Sequence, residues 1–285
     1  MAETSPGTLY IVATPIGNLE DMTFRAIRIL KEVDLIAAED TRHSRKLLNH
    51  YGIPTRMTPY HDHNEQLKTD YLLEKLHAGQ NIALITDAGT PCIADPGYRI
   101  ANAAAAKGIR TVPVPGASAI VAALSASGLP SDRFAFEGFL PPKQGKRKGR
   151  LAEMKADNRV IILYEAPHRL AATLADMAEV LGSRETVVAR ELTKIHEEFR
   201  RGTPAELLDH FSQQPVKGEI VILASPAAES GTPADYNPEE NLRRYLLEEG
   251  LSVKDAAARA SSESGRPRSE TYAIALSIKA AAPLS

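Results

Sequence analysis

The stretch NIALITDAGTPCIADPGYRIANAAAAKGIRTVPVP, residues 81–115, reads as a strand, a turn, a helix and a second strand. The apolar run at 82–85 is short enough for a buried strand, and residues 97–108 repeat apolar positions at helical spacing. Between them lies a turn, DAGTPCIADPG, rich in residues with special backbones. Gly89 and Gly97 permit close approach and positive φ, while Pro91 and Pro96 stiffen the chain and remove two amide donors. Such a turn presents backbone groups to a ligand with little flexibility; a rigid connector explains it equally.

The same alternation runs outward in both directions. Strands are expected at 8–14, 33–40, 81–87 and 109–115, with a short extended piece at 56–61. Between them fall helices over 22–33 (Asp21 as N-cap), 41–52, 64–79 and 97–108. A helix over 117–128 follows, with Ser118 as N-cap and Gly116 clearing space. After it come strands at 133–140, 159–166, 186–192 and 218–225, an extended segment from 196, and a helix capped near Thr203. This rhythm predicts an α/β fold with mostly parallel sheets: two consecutive α/β domains and a small C-terminal helical domain. The domains are expected at 1–117 and 118–227. A linker is expected at 228–236 and a helix-turn-helix-like domain at 237–285.

Composition narrows the function classes. The chain has 285 residues and a formal net charge of −2, so any nucleic-acid contact must be local. A single cysteine, Cys92, excludes an internal disulfide and suits a reducing compartment. The polar N-terminus does not read as a signal peptide, and no apolar run approaches the ~18 residues needed to span a bilayer. A cytoplasmic location is the expectation. The sequence contains no G-x-G-x-x-G, no G-x-x-x-x-G-K-[ST], no H-E-x-x-H and no G-x-S-x-G. No metal site is expected; the histidines of HDHNE at 61–65 fit hydrogen bonding better.

In open α/β sheets, ligands bind beyond the carboxyl ends of the strands. Those ends carry Thr14-Pro15, Glu39-Asp40, Tyr60-His61, Thr86-Asp87, residues 113–115, Tyr164-Glu165 and Arg190-Glu191. Proton-accepting candidates among them and the following loops are Asp40, His43, His61, Glu191 and Lys194, and the pattern singles out none. Glu39, Asp40 and Arg42 equally fit a structural ion pair. His168 and Arg169 fit either a helix start or a phosphate contact.

Six segments in order, LYIVATPIGNLEDMT, AAEDTR, TDAGTPCIADPG, VPGASA, YEAPHR and ARELTKIHEE, resemble the tetrapyrrole-methylase-like (class III) S-adenosylmethionine methyltransferases. Within that family they are most similar to the branch that methylates a cytidine ribose 2′ oxygen in the decoding region of 16S ribosomal RNA. The resemblance implies S-adenosylmethionine in the interdomain cleft, a homodimer, no membrane, and 16S rRNA as partner within the small ribosomal subunit. It places the cofactor against Pro15, Asp87, Gly89, Thr90, Ile93, Ala94, Ser118, Ala119, Tyr164, Ala189 and Ile220. The catalytic candidates come from the strand ends and the loops after them and not from the resemblance: Asp40, Glu191 and His43. The segment TPIGN departs from the glycine-rich first loop of porphyrin-acting members, which argues against a porphyrin substrate.

Two basic features fit RNA. Residues 143–150, KQGKRKGR, carry Lys143, Lys146, Lys148, Arg147 and Arg150 without an acid and are expected to be mobile when free. A solvated loop is the plainer reading. Arg266 and Arg268 precede or open the last predicted helix, where a helix-turn-helix contacts the backbone, although a helical oligomerisation appendage fits as well. Arg169 is a further phosphate candidate. A catalytically silent RNA-binding protein on the same scaffold remains the competing class.

Overall fold

The computed structural model describes residues 5–213, 215–227, 237–264 and 266–281. The chain divides into two compact units, Met1–Pro226 and Ala227–Ser285. The expected linker at 228–236 lies outside the described residues.

The first unit contains two five-stranded sheets. The first is built from β1 (Leu9–Val12), β2 (Leu35–Ala38), β3 (Met57–Pro59), β4 (Ile82–Ile85) and β5 (Thr111–Val114), in the order β3-β2-β4-β1-β5. All its pairings are parallel. Helices therefore cover both faces, as a doubly buried parallel sheet requires. On one side α1 (Phe24–Glu32) and α2 (Thr41–His50) bury Ala26, Ile29, Leu30 and Leu48. On the other, α3 (Glu65–His77) and α4 (Tyr98–Ala106) bury Leu72, Leu76, Ile100 and Ala104. Asp21 does not cap α1. Thr23 does, accepting from Ala26 N–H, while Asp21 ends a 3-10 turn, Leu19–Asp21, entered from Asn18. The hydroxyl three residues before the free amide has the cap geometry; the carboxylate five residues before it does not.

The second sheet comprises β6 (Phe134–Phe139), β7 (Val160–Glu165), β8 (Thr186–Arg190), β9 (Glu198–Gly202) and β10 (Ile220–Ala224), in the order β6-β7-β10-β8-β9. Only β6 and β7 pair in parallel; β10 runs antiparallel to β7 and β8, and β8 to β9. The expectation of mostly parallel sheets thus holds for the first sheet and fails for the second. Apolar runs report burial, not direction, and β8 returns to the sheet through the short extended β9 instead of a crossover helix. Helix α5 (Ala119–Ser127) lies against the second sheet, where Ile120, Ala123 and Leu124 share a cluster with Val160, Val187 and Val221. Helices α6 (Gln144–Glu153), α7 (Leu170–Leu181) and α8 (Pro204–Ser212) cover its other face. Thr203 and Glu206 close α8 in a capping box.

Residues 143–150 are not a mobile loop. They form most of α6, because Leu151 docks in the core and Arg147, 5% exposed, meets Asp176 of α7 at 2.6 Å. A buried charge reads as surface polarity in sequence until its partner is known.

The second unit is helical: α9 (Pro238–Arg243) continuing into a π turn at Arg244–Glu248, then α10 (Val253–Ser264) and α11 (Arg268–Ala281). Leu242, Tyr245, Ala256, Ala257, Ala260, Ala275 and Ile278 form its core. Arg268 opens α11, and Arg266 pairs with Glu270 at 2.7 Å. No helix among the described residues is long and apolar enough to cross a membrane.

Candidate functional site

A cleft of about 440 Å³ opens where the carboxyl ends of the first sheet face the second. Its floor is the turn 86–90. Thr14 N–H donates to Gly89 O (2.9 Å), and Gly89 N–H donates back to Thr14 O (3.1 Å). Thr14 Oγ1 donates to Thr86 O (3.1 Å) and Thr90 Oγ1 to Ala117 O (3.2 Å). Gly89 has φ +86°, which admits this sharp exchange without a Cβ penalty. The far end of the turn is fixed by Glu65 of α3, which accepts from Gly97 N–H at 3.2 Å. Gly97 sits at φ +137°, and a Cβ there would lie 2.6 Å from both Cys92 Sγ and Leu84 Cδ2. Gly97→Ala is therefore expected to cost about 1–3 kcal/mol and to weaken ligand binding in the cleft. A urea midpoint equal to wild type would refute the claim that this turn is rigidly seated.

The cleft gathers most residues nominated for the cofactor. Asp87, Gly89, Thr90, Ile93 and Ala94 line it from the first sheet, Ser118 and Ala119 from the start of α5, and Tyr164 and Ile220 from the second sheet. Pro15 and Ala189 do not line it: Pro15 is buried beside the lining residue Ile16, and Ala189 is 0% exposed beneath the cleft, paired with Val221. Ser118 occupies the N-cap position of α5, but its hydroxyl makes no cap bond. Gly116 does clear space, since a Cβ there would stand 2.9 Å from Ala13 Cβ. The ring of Tyr164 forms an aromatic wall with Phe136 and Phe139, centroids 4.8 and 5.7 Å away. Burial pushes its phenol up to about 12.

Five carboxylates line the cleft, Glu39, Asp87, Asp95, Glu165 and Glu219, with no lysine or arginine among the lining residues. Glu39 is not an ion-pair partner of Arg42. It accepts from Thr86 Oγ1 (2.5 Å) and Asp87 N–H (3.3 Å), tying β2 to β4. Burial, then the charge of Glu39, pushes the Asp95 carboxyl up to about 6. Burial likewise raises Asp87. Glu165, 3% exposed, accepts from Thr173 Oγ1 (2.5 Å) and faces the Arg169 guanidinium at 3.2 Å. Glu165 and Glu219 are paired with cations outside the lining, Arg169 and Lys194, which leaves Glu39, Asp87 and Asp95 without an ion-pair partner among the described residues and favours a cationic ligand.

The nominated proton acceptors stand outside this lining. Asp40 caps α2, accepting from Arg42 N–H (2.7 Å) and His43 N–H (3.4 Å), and the first of these bonds holds its carboxyl below the usual range. His43 is exposed on α2. The His61 ring meets Asn64 Nδ2 at 3.1 Å. Glu191 sits at φ +51°, its Oε1 accepting from Lys194 Nζ (2.8 Å) and Glu219 N–H (3.2 Å), and the Lys194 bond lowers its carboxyl. Lys194 also binds the cleft residue Glu219 at 2.9 Å and packs over Gly17, where a Cβ would lie 2.5 Å from Lys194 Cγ. Asp95, Glu219, Leu192 and Phe139 also line the cleft, beyond the residues the sequence points to. Asp95 carried a signal, lying inside the turn between Ala94 and Pro96; the others reach the cleft only through packing of the second sheet.

The basic residues proposed for RNA are largely neutralised within the molecule. Arg147 pairs with Asp176, Lys148 with Glu179 (2.6 Å), and Arg150 with Glu137 and Glu153. Arg169 donates to Leu140 O at 2.6 Å. Lys143, Lys146 and Arg268 remain exposed.

Comparison with known proteins agrees with this architecture. Residues 8–208 match the Tetrapyrrole (Corrin/Porphyrin) Methylases, and residues 239–279 match the RsmI C-terminal HTH domain. The chain is 49% identical to the Ribosomal RNA small subunit methyltransferase I of Synechocystis sp., covering 96% of this chain and 99% of that protein. It is 49% identical to the protein of that name from Escherichia coli O157:H7, covering 96% of each. Among solved structures, uroporphyrin-III-C-methyltransferase from Thermus thermophilus shares the fold with a TM-score of 0.56 at 20% identity, over 78% of this chain and 96% of that one. Fold, cleft and sequence together make this chain a member of the tetrapyrrole methylase family of methyltransferases.

Proposed function

We propose that this chain is an S-adenosylmethionine-dependent ribosomal RNA methyltransferase that acts on the 2′ oxygen of a cytidine ribose in the decoding region of the small subunit. The observation that carries the donor assignment is the cleft itself: a rigid turn at the sheet's carboxyl rim, walled by Tyr164 and lined by carboxylates without a lysine or arginine. Its volume lies within the range of small-molecule sites. The similarity to proteins named as ribosomal RNA small subunit methyltransferases supports the RNA substrate.

When bound, the donor supplies an electrophilic methyl on a sulfonium, transferred by in-line displacement. The protein's part is positioning and proton removal. The backbone of 86–90 and the start of α5 fix the donor's place, and the acidic lining favours its positive charge. A ribose hydroxyl attacks well only as its proton leaves, and a positioned base contributes about 10²–10⁴-fold. Asp95 is the acceptor we assign, in place of Asp40, His43 and Glu191. It lines the cleft, is ionised at neutral pH, and its raised value makes it a better base than an ordinary carboxylate. A homodimer in the cytoplasm acting on assembled subunits completes the proposal.

The test is methyl transfer from labelled donor to unmodified small subunits, to naked 16S rRNA and to a tetrapyrrole. Label in a ribose-methylated, alkali-resistant cytidine dinucleotide is the expected result. Label on a base, or on the tetrapyrrole alone, would overturn the substrate assignment.

A further inference from the structure

The cations that sequence assigned to RNA are mostly paired within the molecule, yet a different helix carries cations that meet no acid among the described residues apart from one exposed contact, Arg42 with Asp40. Helix α2, TRHSRKLLNH, buries Ser44 and Leu48 and exposes Arg42, His43, Arg45 and Lys46. It contains no acidic residue. Arg42 is 94% exposed and lies 3.8 Å from the cap Asp40, an exposed pairing of little energetic value. The side chains of Arg45 and Lys46 have no hydrogen-bond or ion-pair partner among the described residues.

This arrangement works against the helix. Arg42 stands in the first turn, where the macrodipole disfavours a cation, and Arg42 and Lys46 are like charges at i and i+4. An isolated helix gains nothing from this pattern, whereas a helix facing a polyanion does. The position suits the cleft as well. Helix α2 leaves β2 directly after the lining residue Glu39, and Asp40 N–H donates to the lining residue Asp87 at 3.2 Å.

A second feature lies on the same side. Helices α1 and α2 share one apolar cluster on one face of the first sheet, and Tyr51 Oη donates to Leu19 O, joining the end of α2 to the turn before α1. The strands that precede the two helices, β1 and β2, are parallel and separated only by β4; α2 follows β2 directly, whereas α1 follows β1 after the turn at Leu19–Asp21. At the start of α1, Phe24 is 94% exposed and the next residue, Arg25, is exposed and unpartnered among the described residues.

We propose that the exposed face of α2, together with Phe24 and Arg25, is the surface on which the RNA substrate docks beside the cleft. Arg42, Arg45 and Lys46 neutralise backbone phosphates flanking the target nucleotide. The Phe24 ring is a stacking platform for an unpaired base. A second copy of this chain does not fit the patch face to face, because a two-fold contact would oppose cation to cation. The inference rests on the RNA-methylation reading and adds where the RNA lies.

The experiment measures binding of the full-length protein to small subunits across a potassium chloride series, with methyl transfer to the same subunits. For Arg42→Ala/Arg45→Ala/Lys46→Ala the slope of log affinity against log salt is expected to fall by about 2–3, the signature of lost phosphate contacts. Phe24→Ala is expected to weaken binding roughly 5- to 150-fold with an unchanged slope. Donor affinity and thermal midpoint serve as fold controls for both variants. Wild-type methylation with an unchanged slope in the triple variant overturns this surface while leaving the functional reading intact. A wild-type protein that neither binds nor methylates subunits overturns both. A triple variant altered in self-association but not in RNA binding assigns the face to a protein contact and overturns the proposal.

Discussion

Asp95→Asn is expected to lower the single-turnover rate of methyl transfer about 10²–10⁴-fold at saturating donor and pH 8, the range a positioned base supplies. The asparagine keeps the size of the side chain and its place in the turn but cannot take a proton. In the wild type the rate is expected to fall as pH drops through about 6, where Asp95 becomes protonated. The stability consequence has the opposite sign. The folded-state value lies above the unfolded value of 3.8, so the native protein holds this proton longer than the unfolded chain. Between about 4 and about 6 the unfolded chain has already released it, and stability declines as pH rises. Asp95→Asn should remove that decline and leave the variant more stable than wild type at pH 8. Urea midpoints at pH 4.5 and 8, set beside donor titrations, check both halves. Donor affinity lost in proportion to rate would make Asp95 a donor-binding group and remove it as the base.

The second large effect concerns a residue that sequence placed in the RNA site. Arg147→Ala is expected to destabilise the protein by about 3–5 kcal/mol, because it leaves the buried Asp176 carboxylate with only Gln144 and the more distant Lys148 Nζ, 3.8 Å away. Asp176 is 1% exposed and receives Arg147 Nε at 2.6 Å and Gln144 Nε2 at 3.0 Å. The guanidinium also donates to Pro142 O at 3.2 Å, so its loss releases the start of α6. The double variant Arg147→Met/Asp176→Leu removes both charges and should recover most or all of the loss, since a packed apolar pair replaces the buried ions. Its RNA affinity and salt slope should match wild type. A lowered urea midpoint with unchanged m-value in the single variant, restored in the double, is the expected pattern. A folded single variant with a wild-type midpoint and a reduced salt slope would return Arg147 to the RNA surface.

These two residues show what could be read without coordinates. Residues 85–97 announced themselves locally: positive-φ glycines, ring-locked prolines and a preceding apolar run specify a rigid turn after a buried strand whatever surrounds it. The helix over 98–106 and the cap near Thr203 are likewise short-range chemistry, visible within a few residues; the Asp40 cap of α2 is equally local, yet in the sequence Asp40 reads as a proton acceptor or ion-pair partner. What the chain alone determined is therefore the order of its elements and the special backbone at the strand ends. Tertiary structure decided the partners. It set β10 antiparallel between β7 and β8, it gave Arg147 a buried acid 29 residues away, and it brought Asp95 near the Glu39 charge, 56 residues earlier in the chain. Burial and charge pairing are properties of neighbours in space. A side chain's charge in the sequence could not say whether it faces water, another residue or a ligand until the two sheets had closed around the cleft.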